Sequence, residues 1–232
     1  MKRLTFLPVA LAVVALACGD ADRNNAPATN DTESASSPVG TSGDADRSRV
    51  PDDDAEFVRE VAVANTAEIE LGRMAVERAS GANVKKFAQM MIDDHTRAAG
   101  TLGSVAGRYA IELPTQLDDE HRELRDRLAG LKGAEFDREY MAAMVDAHED
   151  LLDTLGSRTD QKELENWKSR RASAAGKNQR VEIEALTVVP EKSDNAVTMN
   201  INQWAAETYP VVYAHVEAAK DAEAGVKARA TR

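Results

Sequence analysis

The chain has 232 residues, a formal charge of −11 and an aromatic content of 4 %. The acidic charge disfavours nucleic acids and anionic lipid headgroups as partners, and the scarcity of aromatic residues favours helix-on-helix packing over a β-sandwich. The single cysteine, Cys18, excludes an intramolecular disulfide and a cysteine-rich metal site.

Residues 1–17 have the pattern of a bacterial signal peptide. Lys2 and Arg3 precede the apolar run Leu4–Leu16, which is too short for a transmembrane helix. The run ends in Ala15-Leu16-Ala17, which fits the cleavage site of an ordinary signal peptidase. The same residues before Cys18 also resemble a lipoprotein box, in which Ala15 replaces the usual leucine. We favour a lipid anchor because Cys18 is the only cysteine.

Lipidation would place the protein at the periplasmic side of an outer membrane or at the cell surface, and the anchor would make the membrane a partner. The residue after Cys18 is Gly19, and retention in the inner membrane would need an aspartate there. Gly19 therefore permits transport of the lipoprotein to the outer membrane. Ordinary cleavage would give a periplasmic or secreted protein. Residues 18–54 are rich in small polar and acidic residues and predict a disordered acidic linker, in which Asp52-Asp53-Asp54 would start the first helix.

Residues 55–228 are predicted to fold as an all-α domain, an antiparallel four-helix bundle with a short extra helix. The apolar residues recur with helical spacing over Glu56–Ala79, Val84–Tyr109, Asp118–Leu131, Ala134–Leu155 and a last helix that is capped by Asp194, contains Pro210 and runs to about Ala228.

An irregular excursion, residues 158–193, precedes the last helix. Lys162–Arg171 could be helical, whereas Val181–Val189 could be a strand or simply extended chain.

Each of the four long helices carries one polar residue on its apolar face: Glu68, His95, His148 and His215. Glu68 lies 12 residues before Ser80, and His95 lies 12 residues after Asn83. At about 1.5 Å per residue, both are roughly 18 Å from the turn that joins their helices. These two residues are therefore expected to share a layer.

One carboxylate and three imidazoles in a bundle core are typical ligands of zinc, iron, manganese or copper. Asp94 and Asp146 neighbour His95 and His148, so we interpret them as outer contacts or an additional ligand. The alternative is a hydrogen-bonded polar layer that only fixes the helix register.

A di-iron centre is disfavoured because it needs Glu-x-x-His on two helices. The residues three positions before His95, His148 and His215 are Ile92, Val145 and Val212. No catalytic residue is predicted, and a hydrolase or oxidase built on the same cluster is a weaker idea than a binding role.

Several segments together resemble the family called domain of unknown function 4142. They are Phe57 with Glu68-Ile69-Glu70-Leu71-Gly72, Phe87-Ala88-Gln89-Met90-Met91-Ile92-Asp93-Asp94-His95, Phe136-Asp137-Arg138-Glu139-Tyr140 with His148, and Tyr209-Pro210 with His215. The resemblance implies an exported bacterial protein, often described as an outer-membrane protein or lipoprotein, with a ferritin-like helical bundle. It implies no activity.

Two functions follow as hypotheses. The first is an envelope protein that binds a transition metal through Glu68, His95, His148 and His215, for metal handling or stress defence. The second is a non-enzymatic envelope module that acts through its acidic surface and a protein partner. The oligomeric state is left open by the sequence.

Overall fold

Helices make up the regular secondary structure of the part of the chain that can be described. A computed structural model describes residues 49–176 and 186–230. Six helices occur in these two ranges: α1 Asp52–Arg78, α2 Ala82–Arg108, α3 Asp119–Ala129, α4 Gly133–Gly156, α5 Gln161–Gly176 and α6 Ala196–Ala230. The predicted all-α fold is confirmed, and the five predicted helices end within four residues of observed ones.

Helices α1 and α2 form the expected antiparallel hairpin, closed by Ala79–Gly81. Gly72 allows the two helices to approach closely. A Cβ atom at this position would lie 3.0 Å from Ile92 Cγ1 and 3.2 Å from the carbonyl oxygen of Ala88. Since contacts this short are rarely tolerated, Gly72 sets the spacing within the hairpin.

The second hairpin is formed by α4 and α6, and a long crossover joins it to the first. Helix α4 runs antiparallel to α1, and α6 runs antiparallel to α2. These directions follow from the pairs Glu68 with His148, Asp54 with Arg158, Asp94 with His215, and Thr101 with Trp204. The connection between α2 and α4, which contains α3, must therefore travel the length of the bundle. Ferritin-like bundles also have one such crossover.

The buried core consists of two apolar clusters, and each of the four long helices contributes to both. One cluster includes Phe57, Leu102, Leu155 and Trp204. The other includes Leu71, Met91, Met144 and Ala219. On each of these four helices the predicted polar residue, Glu68, His95, His148 or His215, lies between the two clusters, and on α1 the buried Asn65 lies there as well. We call the four predicted residues the polar layer.

The end of the bundle near the start of α1 is closed by a buried ion pair. Arg158 Nη1 lies 2.5 Å from Asp54 Oδ1, and the hydroxyl of Thr198 donates to Asp54 Oδ2 at 2.5 Å. Asp52 and Asp53 also lie in the first turn of α1, where no side chain caps the helix. The expectation that all three aspartates act at the helix terminus is therefore incomplete, because Asp54 joins α1 to α6 and to the end of α4.

The cap of α6 differs from the sequence-based expectation by one residue. Asn195 Oδ1 accepts hydrogen bonds from the backbone N–H groups of Val197 and Thr198, at 2.8 and 3.2 Å. The prediction that Asp194 caps this helix is wrong, because the residue before the first helical position is Asn195.

Part of the excursion packs on the bundle as a helix. The predicted segment Lys162–Arg171 is helical within α5, where Leu164 and Trp167 are buried. Residues 186–193 return beside Arg158 and Asp160, since Asp160 N–H donates to the Val189 carbonyl at 2.9 Å. The predicted extended segment Val181–Val189 has no strand over residues 186–189, and its first five residues lie outside the described ranges.

The predicted signal peptide, Cys18 and most of the linker also lie outside the described residues. Within residues 49–176 and 186–230, no helix has both the length and the apolar character needed to cross a membrane.

Candidate metal centre

The polar layer is almost fully shielded from solvent. Glu68, His95, His148 and His215 are between 1 % and 5 % exposed, and each comes from a different long helix. Helical periodicity explains their position, since each occupies a place on its apolar stripe that an aliphatic residue would otherwise fill. Buried polar groups need partners, so the contacts of each one decide what the layer can do.

Three members of the layer, His95, His148 and His215, form what we call the histidine cluster. Their ring centroids are 5.4 to 5.5 Å apart. One ligand atom from each residue can be chosen so that all three lie within 4.8 Å of one another. The sequence could place these residues on inward faces, but only the structure shows that they converge.

His95 is held by Asn65 of α1. The Asn65 amide Nδ2 donates to the backbone carbonyl of His95 at 2.9 Å, so Asn65 Oδ1 faces the ring. His95 Nδ1 lies 2.9 Å from Asn65 Oδ1 and must carry the proton that joins them. This places the lone pair on Nε2, which is buried and has no hydrogen-bond partner among the described residues.

His148 and His215 are held in the same manner by different acceptors. His148 Nδ1 donates to the carbonyl oxygen of Met144 at 2.8 Å. His215 Nε2 donates to Asp94 Oδ2 at 3.0 Å. Each ring keeps one buried nitrogen, His148 Nε2 and His215 Nδ1, for which the described residues supply no hydrogen-bond partner.

Each of the three rings therefore presents one lone pair that no group within residues 49–176 and 186–230 uses. Bonds from imidazole nitrogen to zinc are about 2.0–2.1 Å long, which places the nitrogens of a tetrahedral site about 3.4 Å apart. The rings would have to draw together from the present separation of up to 4.8 Å. A hydrogen bond on the opposite nitrogen is the usual way in which proteins orient a histidine ligand.

The electrostatics of the cluster favour the neutral rings that bind metal. Burial, with smaller contributions from His148 and His215, lowers the pKa of His95 well below its ordinary value. Burial also lowers the pKa of His215, although its hydrogen bond to Asp94 opposes this effect. Neutral imidazole is the form that donates to a metal, so no proton has to leave these two rings at neutral pH.

Glu68 stands apart from the histidine cluster. Its Oε1 atom lies 3.7 Å from His148 Nδ1, the nitrogen already bonded to Met144. Burial raises the pKa of Glu68 despite the nearby His148. The predicted ligand set of one glutamate and three histidines is thus brought into one layer, but Glu68 contacts the outer side of a ring and is not among the converging ligand atoms.

The two predicted outer residues have different positions. Asp94 is half-buried, and the hydrogen bond from His215 is the main cause of a pKa below its usual range. Its other oxygen, Oδ1, accepts from Arg97 Nη2 at 2.9 Å. Asp146, in contrast, is exposed on the surface of α4 and is not brought to the cluster.

Sequence reasoning missed two groups that orient the rings, the side chain of Asn65 and the carbonyl of Met144. Asn65 could have been noticed, since it lies one helical turn before Glu68 and thus on the same face of α1. A backbone carbonyl carries no residue-specific signal, so the contact of His148 with Met144 is visible only in three dimensions.

A small cavity lies beside the histidine cluster. It has a volume of about 30 Å³, and its lining is mostly apolar. The polar side chains in the lining are those of Asn65, Asp94, His95, Thr208 and His215. His148 and Glu68 do not line it. Val211 does line the cavity, and its side chain is 47 % exposed.

The fold and the site define a four-helix bundle with a buried histidine cluster. The chain belongs to the family described as Domain of unknown function (DUF4142), whose profile matches residues 39–175. The matched segment includes Glu68, His95 and His148, whereas His215 lies beyond it.

Comparison with solved structures found a chain described as "CopM in the Cu(II)-bound form". It is 15 % identical, with a TM-score of 0.48, and the likeness covers 74 % of this chain and 96 % of that chain. A likeness at that level says nothing about the ligand of this protein. A search of curated proteins found no significant match.

Proposed function

We propose that this domain binds one transition-metal ion at the centre of the bundle, with His95, His148 and His215 as ligands. One observation carries the proposal: each ring has one nitrogen engaged by the protein and one buried nitrogen without a hydrogen-bond partner among the described residues. Three such nitrogens in one layer would be costly if they served structure alone. A metal ion would use all three.

The surroundings of the cluster match the charge of a divalent cation. Three neutral imidazoles leave its two positive charges uncompensated. Asp94, bonded to His215, and Glu68, beside His148, supply two carboxylates just outside the ligands. An ion at this depth needs partners of opposite charge, so this placement supports a divalent ion. A cation would favour the ionised form of Glu68, whose pKa burial raises, and this gives Glu68 an electrostatic role.

The donor set narrows the predicted metals. Three imidazole nitrogens suit zinc, copper and iron, whereas manganese prefers carboxylate and water oxygens. With Glu68 outside the converging atoms, manganese is the least suited of the four metals. We place this activity in metal handling or stress defence at the cell envelope, where the export signal and Cys18 would deliver the protein.

Elemental analysis of the full chain tests the proposal. The protein is purified without a histidine tag, incubated with zinc, copper, iron or manganese salts, and freed of excess metal. We expect about one ion per chain for at least one of these metals. A content far below one ion for all four would reject the metal centre and favour the alternative, an interaction module with a structural polar layer.

Substitution of the ligands locates the ion. His95→Ala and His148→Ala should each abolish stoichiometric binding, because two imidazoles cannot hold the ion with comparable affinity. His121→Ala is the matched control, since His121 is the one histidine outside the cluster and bonds to Asp118 on the surface. Circular dichroism shows whether each variant keeps its helices. Full metal content in a folded His95→Ala protein would contradict the assignment.

A further inference from the structure

We propose that the metal centre keeps one coordination position open, and that a small exogenous ligand, water or a compact anion, reaches it through the cavity beside His95 and His215. This inference rests on the proposed function. It assigns the centre an exchangeable ligand, which a purely structural metal site lacks.

The first argument is the number of protein donors. Four-coordinate metals need four ligands, and the described residues bring three converging donors together. Glu68 Oε1 approaches His148 Nδ1, the nitrogen that donates to Met144, and Glu68 Oε2 is buried without a hydrogen-bond partner among the described residues. Neither oxygen of Glu68 is among the converging ligand atoms. Asp94 is occupied as well, since its two oxygens accept from His215 and Arg97. The fourth ligand must therefore come from outside the protein.

The second argument is the position of the cavity. It contacts two of the three metal-binding residues, His95 and His215, and it lies away from His148 and Glu68. Val211 also lines the cavity, and its side chain is 47 % exposed, so this side chain lies between the cavity and solvent. A molecule in the cavity would thus sit beside the metal and on a route to solvent.

The third argument concerns the size and charge of the ligand. A cavity needs a volume of about 10–15 Å³ to hold one water molecule. The cavity of about 30 Å³ therefore accommodates two non-hydrogen atoms or a narrow group of three. Azide fits this description and a five-membered ring does not. Asp94 also lines the cavity, and its ion pair with Arg97 and its hydrogen bond from His215 reduce its repulsion of an anion.

Cobalt(II) provides the test, because its visible absorption reports its ligands. The full chain is loaded with cobalt(II), its metal content is measured, and the spectrum is recorded before and after titration with sodium azide. We expect intense bands before azide is added, a saturable shift with azide, and no shift with imidazole at the same concentration.

The outcomes separate the two proposals. If the chain takes up neither cobalt nor any of zinc, copper, iron and manganese, the metal centre itself fails. If it takes up one of those four metals but no cobalt, the open four-coordinate site is rejected. If cobalt binds and azide changes nothing, the centre stands and the open position is rejected. If imidazole shifts the spectrum as azide does, the position is open but the cavity does not control it, which also overturns the inference.

Two substitutions test the route. Ala98→Leu fills the cavity from α2, and Val211→Trp covers it at the surface; each should weaken azide binding at least about tenfold. Ala99→Leu is the matched control, since it makes the same change on the same helix outside the cavity lining. Cobalt content in the same samples shows whether the histidines still assemble. Unchanged azide affinity in both cavity variants would overturn the proposal.

Discussion

At the scale of single residues, the histidine cluster depends on three unlike acceptors: an amide oxygen, a backbone carbonyl and a carboxylate. Each selects the tautomer that leaves the other ring nitrogen with an unused lone pair among the described residues. The sequence predicts the three rings because a histidine on an apolar stripe is conspicuous. It does not predict their acceptors, since these depend on the rotation of each helix and on side-chain rotamers.

Replacing Asn65 should weaken metal binding although Asn65 does not touch the metal. In Asn65→Leu, His95 loses the acceptor that holds its proton on Nδ1, so its ring can rotate and change tautomer. We expect an affinity loss of about 10- to 100-fold, measured by competition with a chelating dye. The control Asn166→Leu removes an exposed asparagine of α5; equal affinities for both variants would refute the orienting role of Asn65.

Glu68→Gln distinguishes an electrostatic role from ligation. The substitution removes a charge but retains the shape and polarity of the side chain. We expect metal affinity to fall about tenfold, with the cobalt(II) spectrum unchanged in band positions, because the three nitrogen ligands remain. A change in band positions would show that Glu68 coordinates the ion, as the sequence alone suggested.

At the scale of elements, helix boundaries follow from hydrophobic periodicity, and all five expected helices are present. The α6 cap shows the limit of this reasoning. Asp194 and Asn195 are both good capping residues, and only the backbone conformation decides between them. The excursion was the least predictable part, because its apolar residues Leu186 and Val188 pack against the core without forming a strand.

The ion pair between Asp54 and Arg158 should contribute strongly to stability. Asp54→Ala leaves the guanidinium, only 15 % exposed, without its buried partner. We expect the free energy of unfolding to fall by about 3 kcal/mol, measured by urea denaturation. Asp53→Ala, at the adjacent exposed position, should change it by less than about 0.5 kcal/mol. Similar losses in the two variants would contradict the importance of the buried pair.

At the scale of the whole molecule, the family match and the metal centre do not coincide. The profile ends at residue 175, whereas one proposed ligand lies on α6. Local sequence similarity can identify the first hairpin and α4, but the completed centre also needs the helix that follows the excursion. The distance along the chain between His148 and His215 hid their proximity from any argument based on spacing.

The lipid anchor at Cys18 remains a prediction. Cys18→Ser should move the protein from the membrane fraction to the soluble fraction of cells, because the substituted residue cannot carry the lipid. Immunoblotting of separated fractions measures this, and loss of radiolabelled palmitate from the protein confirms the chemistry. An unchanged distribution would reject anchoring at Cys18 and leave cleavage after Ala17 by an ordinary signal peptidase.

The division of the core into two apolar clusters affects how cooperatively the domain unfolds. Each cluster lies at its own end of the bundle, and the polar layer between them contributes little apolar contact. Without an ion, one end could open while the other stays folded. An ion bound to α2, α4 and α6 would join both hairpins at that boundary. Amide hydrogen exchange would then slow at both ends together, so the metal would convert two weakly coupled units into a single cooperative one.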